Sequence, residues 1–201
     1  MCTIISFDKD KALKFAKTAH EATKYKVYTD GSGYKGGIGA VAVLYKGNRA
    51  IRLLQYHLGP KTNHTVYKSE LTGILLALYL LTALRCCILS TIIIVLDNQA
   101  VIRSLNNQEH KPAHHLLDLI HTAVECLHSH QDHIQRHNEI QRARWRGLNP
   151  RSKPGVPVTY AYIGFLATTG LNPMTKLMGL QKMLLRVNPA LELSSQNCFG
   201  K

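Results

Sequence analysis

Val27-Tyr28-Thr29-Asp30-Gly31-Ser32-Gly33 is the stretch on which the fold turns. Lys24 to Asp30 reads as a strand that ends on an acid. Gly31 to Gly37 holds four glycines and predicts a turn or loop. Ile38 to Tyr45 is almost wholly apolar, as expected of a strand buried on both faces. Lys46-Gly47-Asn48-Arg49 is a hairpin turn signal, and Ala50 to Leu58 is the next strand, ended by Gly59-Pro60. These first three strands are expected to form an antiparallel meander, with Asp30 at the end of the first.

Further along, Thr65 is placed to cap a helix that runs to about Leu84. Leu71, Leu75 and Leu78 fall on one stripe of it. Glu70, Gly73 and Ala77 are spaced i, i+3, i+7, so Glu70 shares a face with two small residues and can press close to a sheet. Thr91 to Leu96 is a continuous apolar run that predicts a central parallel strand, and Asp97 follows it. A crossover helix between the third and fourth strands brings the fourth beside the first. Asp30 and Asp97 then stand at the same end of adjacent strands, roughly 5 Å apart, and Glu70 reaches them from the helix. Such an all-oxygen cluster suits Mg²⁺ or Mn²⁺ rather than Zn²⁺. Two such ions roughly 3.5–4 Å apart can activate a water and stabilise a leaving 3′ oxygen during in-line attack on a phosphate. Backbone groups at Gly31, with Ser32 and Gln99, are placed to reach a minor groove and its 2′-hydroxyls. Taken singly, each acid has a bland explanation: a turn residue, a helix-dipole partner, a helix cap. Their joint occurrence in this order points to a site.

The totals agree with a nucleic-acid partner. A net charge of +13 over 201 residues favours polyanions. The five cysteines form no CxxC pair and no finger spacing, so a structural zinc site is not expected, and a reducing, intracellular setting in nucleus or cytoplasm is. The apolar start, Met1 to Ser6, is too short for a signal peptide, so secretion is not expected. Leu71 to Leu96 carries only Arg85 as a charge and has the length to span a bilayer. Arg85-Cys86-Cys87 and Ser90-Thr91 interrupt it, and a buried helix followed by a buried strand accounts for it without a membrane. No protein partner can be inferred.

Three motifs together carry a resemblance. Val27 to Gly33 with Gly36-Gly37-Ile38-Gly39-Ala40, then Thr65-Val66-Tyr67-Lys68-Ser69-Glu70-Leu71, then Asp97-Asn98-Gln99-Ala100, resemble type 1 ribonuclease H. The flavour is that of the RNase H domains of non-LTR retrotransposon reverse transcriptases, and the resemblance covers about Tyr25 to Leu127. It implies an α/β, RNase H-like mixed sheet of order 3-2-1-4-5 with flanking helices. It also implies Mg²⁺-dependent hydrolysis of the RNA strand of an RNA–DNA hybrid, with Asp30, Glu70 and Asp97 as catalytic metal ligands. A catalytically impaired, nucleic-acid-binding retroelement fragment is the competing expectation.

The family's ending is missing. It consists of a fifth strand, a Trp-(Ile/Val)-Pro-Gly-His loop and a Gly-Asn-Glu-x-x-Asp helix start that supplies a fourth acid. Trp145 is followed by Arg146-Gly147 instead, and Asp118, Asp132 and Glu139 lack that context. The sheet is therefore expected to stop at order 3-2-1-4 with the fifth strand lost. The expected organisation is a basic, partly helical lead over 1–23, the RNase H-like domain over 24–135, and an irregular tail over 136–201. Shifting the codon frame by one base from Ile163-Gly164 onward permits WIPGHDGIESNDKADGLAKDAAEGESS, which contains the missing loop and helix start. The expectation is a frame-shifted or mis-spliced translation beginning between Gln141 and Thr159.

Past Asp97, Gln99 to Leu105 reads as a short helix. Pro112 opens a longer one, whose apolar face is Leu116, Leu117, Ile120, Ala123, Val124 and Leu127. Eight histidines from His110 to His137 crowd this region, with His110/His114 and His133/His137 at i, i+4. A solvated, weakly basic helix face is the expectation for them rather than a transition-metal site.

Overall fold

The computed structural model describes residues 2–4, 18, 23–84, 86, 88, 92–106, 113–147 and 163–167. Six strands are described: β1 (Cys2–Ile4), β2 (Tyr25–Tyr34), β3 (Gly37–Lys46), β4 (Arg49–Pro60), β5 (Ile92–Leu96) and β6 (Ile163–Ala167). They form one mixed sheet in the order β1-β6-β5-β2-β3-β4. β2, β3 and β4 make the antiparallel meander, while β5 runs parallel to β2 and to β6. The four strands expected from the sequence therefore stand in the order 3-2-1-4, with helices packed against them.

Three helices are described: α1 (Val66–Thr82), α2 (Gln99–Asn106) and α3 (His114–Trp145). α1 starts where expected, because the Thr65 side chain accepts a hydrogen bond from the Lys68 N–H. Leu71, Ile74, Leu78 and Leu81 of α1 are buried against Val27, Leu44, Ile92, Ile94 and Leu96 of the sheet. Leu117, Ile120, Val124 and Leu127 of α3 close the same core, as the apolar period predicts. Full burial of a Leu or Ile contributes about 1.5–3 kcal/mol, so the α1 stripe is a principal source of stability. α1 is thus a core helix, and among the described residues no helix is long and apolar enough to cross a membrane.

Four sequence expectations need correction. First, Gly31 to Tyr34 is not a loop: β2 runs through it, and Gly31, Ser32 and Gly33 pair with Ala40, Gly39 and Ile38. Glycine accepts extended backbone as readily as a turn, so composition alone misplaced the boundary. The turn is confined to Lys35-Gly36, where both residues have positive φ, the backbone of a two-residue hairpin. Second, the fifth strand is not lost. Ile163–Ala167 occupies that place, parallel to β5, so β5 is paired along both sides. Third, the lead contributes a strand, β1, parallel to β6; the helical expectation over Lys11 to Ala19 lies outside the described residues apart from Thr18. Fourth, α3 passes through residue 135 without a break and ends at Trp145, so 136–145 is helical. Pro112 and His110 lie outside the described residues.

Candidate metal centre

The strand register brings the acids together. The last paired residues of β2 and β5 are Tyr28 and Val95, and two positions further along each chain stand Asp30 and Asp97. The Thr29 hydroxyl donates to the Val95 carbonyl at 3.3 Å and ties the two strands there.

Two glycines bring the third acid. A Cβ on Gly31 would lie 2.5 Å from both the Glu70 backbone nitrogen and Ser69 Oγ. A Cβ on Gly73 would lie 3.2 Å from Thr29 Cβ. α1 therefore meets β2 with no side chain between them, and Glu70 lands over Asp30. The close approach that Gly31 permits is toward α1.

One carboxylate oxygen from each of Asp30, Glu70 and Asp97 lies within 4.8 Å of the others. Asp30 and Glu70 are buried, at 7% and 3% exposure, whereas Asp97 is exposed. The cluster thus has a closed floor and an open mouth. Neither bland explanation holds for the last two acids. Asn98, not Asp97, caps α2, its Oδ1 accepting from the Ala100 and Val101 N–H groups at 3.0 and 3.3 Å. Glu70 is turned into the interior, where a solvated helix-dipole partner would not be.

The electrostatics record what this proximity costs. Burial, then the neighbouring Asp97 and Asp30 charges, push the Glu70 carboxyl up to about 8, against a backbone hydrogen bond from Gly31 that lowers it. Asp30 is raised by burial first and by Asp97 second. Asp30 Oδ2 and Glu70 Oε2 are buried without a hydrogen-bond partner. Buried carboxylate oxygens are ordinarily satisfied. Two orphaned oxygens beside a third acid are a donor set that fits a hard divalent cation. Among the described residues no histidine joins this cluster, and neither do Asp118, Asp132 or Glu139. His114 instead pairs with Asp118, Nδ1 to Oδ2 at 3.0 Å.

Of the expected substrate contacts, Gly31 is buried and Ser32 half-buried on β2, while half-buried Gln99 opens α2 two residues after Asp97. Sequence reasoning missed Thr29 and Asn98. Asp97-Asn98 offered two adjacent residues able to cap a helix, and only the start of α2 shows which one does so.

The fold and site together define a mixed α/β sheet that carries a carboxylate cluster just beyond the last pairing between two parallel strands. No family model matches the chain, and no curated protein does. Among solved structures, it is similar to RNase H1 from the halophilic archaeon Halobacterium salinarum, with 17% identity over 55% of this chain and 80% of that one and a TM-score of 0.41. It is also similar to LC11-RNase H1, isolated from compost by a metagenomic approach, with 14% identity over 80% of this chain and 98% of that one and a TM-score of 0.46. A structure of LC11-RNase H1 in complex with an RNA/DNA hybrid matches at 14% identity over 52% and 75% of the two chains, with a TM-score of 0.41. No residue role follows from likenesses this distant.

Proposed function

We propose that the chain is an RNase H-type endonuclease that hydrolyses the RNA strand of RNA–DNA hybrids, with Asp30, Glu70 and Asp97 as ligands for Mg²⁺ or Mn²⁺. The observation that carries this reading is the convergence of the three acids, two of them buried with orphaned oxygens. Bound cations would supply charge neutralisation at the phosphate and an activated water by a two-metal mechanism. The chain's own residues set the geometry. Asp30 and Glu70 are held in the interior by β2 and by the Gly31–α1 contact. Asp97 is the exposed acid and faces incoming phosphate first. Ser32, two residues after Asp30, and Gln99, two residues after Asp97, are the side chains assigned to meet 2′-hydroxyls, which distinguish RNA from DNA.

A hybrid-cleavage assay with Mg²⁺, run on the chain and on Asp97→Asn, tests the proposal. Cleavage lowered by about 100-fold or more in the variant is expected. Equal cleavage by both proteins would remove the site from the mechanism.

One observation favours a second reading. Among the described residues the cluster holds three acids, with no fourth beside them. A fragment that binds hybrids without cutting them would show salt-sensitive binding and no cleavage. We also propose a retroelement origin and a shifted frame beyond residue 140, on the strength of the motif hidden in the tail. A transcript that reads through 136–165 without a shift and yields an ordered tail would end that idea. An intracellular setting, where free thiols such as those of Cys86 and Cys126 stay reduced, belongs to the same proposal.

A further inference from the structure

Helix α3 outruns the core beneath it. Its last buried residue is Gln131, whose Oε1 accepts from the Ile88 N–H at 2.8 Å. From Asp132 to Trp145 no side chain is buried, which leaves about 20 Å of helix without a packed face. That length carries Arg136, Arg142 and Arg144, with Arg146 just after it, against Asp132 at its start and Glu139 within it. Glu139 Oε1 already accepts from Gln135 Nε2 at 3.1 Å.

Trp145 is the only tryptophan of the chain and is 90% exposed. An indole is among the side chains least suited to stand in water without a partner. Asn138, Gln141, Arg142, Trp145 and Arg146 fall at i, i+3, i+4, i+7 and i+8, one face of the helix, and line a shallow cavity of about 420 Å³. The face therefore offers a flat aromatic surface, two guanidinium groups and two amides side by side. Stacking platforms flanked by cations are what unpaired bases and their phosphates recognise.

We propose that this face of α3 binds single-stranded nucleic acid, an unpaired base stacking on Trp145 while Arg142 and Arg146 hold the adjacent phosphates. Asn138 and Gln141 meet the base edge. The occupant follows from charge complementarity: the net charge of +13 favours a polyanion, and the amides add groups that a lipid surface would not need. None of the three clustered acids takes part, so the inference stands apart from the nuclease reading.

The test uses the full chain in EDTA, so that cleavage plays no part, with oligo(dT) and oligo(U) as probes. Trp145 is the sole source of tryptophan fluorescence, so stacking reads out directly. Quenching by the strand is expected, weakening as salt rises. A preference for oligo(U) or for oligo(dT) assigns the strand to RNA or to DNA. Trp145→Ala, followed by strand anisotropy, weakens binding about tenfold, while Trp145→Phe restores most of it. Arg142→Gln with Arg146→Gln lowers the salt slope by about 1.4. Unchanged fluorescence on strand binding, wild-type affinity in Trp145→Ala, or no binding of either probe would each overturn the proposal. So would quenching by anionic phospholipid vesicles without quenching by either strand.

Discussion

Gly31 decides whether the acids meet. It is the residue of β2 that α1 approaches most tightly at Glu70, and a methyl group there has no space beside the Glu70 nitrogen and Ser69 Oγ. Gly31→Ala is expected to destabilise the fold by about 1–3 kcal/mol through overpacking and to move Glu70 away from Asp30. Urea denaturation reads the first effect and loss of Mg²⁺-induced stabilisation reads the second. Glu70 itself makes the fold sensitive to pH. Below about 4.5 both the folded and the unfolded chain hold its proton. Between there and about 8 the unfolded chain has released it and the folded chain has not, so stability without metal falls as pH rises. Asp30 is shifted in the same direction. Melting temperatures across pH 5–9 in EDTA should decline, and Glu70→Gln should flatten that decline. These acids were legible in the sequence because each follows a strong local pattern. The pairing of Asn98 with α2, and of the Thr29 hydroxyl with Val95, was not, because both are settled by tertiary position.

At the scale of elements, burial explains what could be read. Ile92–Leu96 announced itself because all five residues are buried, and the apolar face of α3 did so because Leu117, Ile120, Val124 and Leu127 enter the core. The periodicity failed at Arg136 because no residue of α3 beyond Gln131 is buried, although the helix continues. Hydrogen bonds along the backbone hold that part, and they leave no hydrophobic signature. The β1 strand is three residues long, too short for any period to appear. Ile163–Ala167 had the apolar run of a parallel strand, but it stands alone among residues with no consistent face. Hydrogen exchange should separate the two parts of α3. Amides from Leu117 to Gln131 are expected to exchange at least tenfold more slowly than those from His133 to Trp145, since only the former lie over the core. Uniform protection along the whole helix would contradict the burial pattern.

For the molecule as a whole, the proposed hybrid binding would draw on charge more than on shape. Lys and Arg number 25 against 12 acids, so hybrid binding should be dominated by counterion release. If six phosphates are neutralised, affinity falls roughly 10³-fold between 50 and 200 mM salt. Filter binding across that range measures it, and a flat response would argue for recognition without the basic surface. The mixed sheet places the carboxylate cluster where β5 meets β2, in the middle of the strand order, with β1 and β4 at its two edges.

The edge formed by β1 sets a timetable for the growing chain. Cys2 pairs with Gly164 and Ile4 with Leu166, so a segment made before the meander waits for one made after it. The meander, α1 and β5 can assemble while β1 is still unmated, and the acids can gather before the sheet is finished. Closing the sheet then joins segments near opposite ends of the described chain, the step with the longest loop to close. Until β6 emerges, the free side of β5 is open to any passing strand. Chaperone capture during synthesis would fall in that interval.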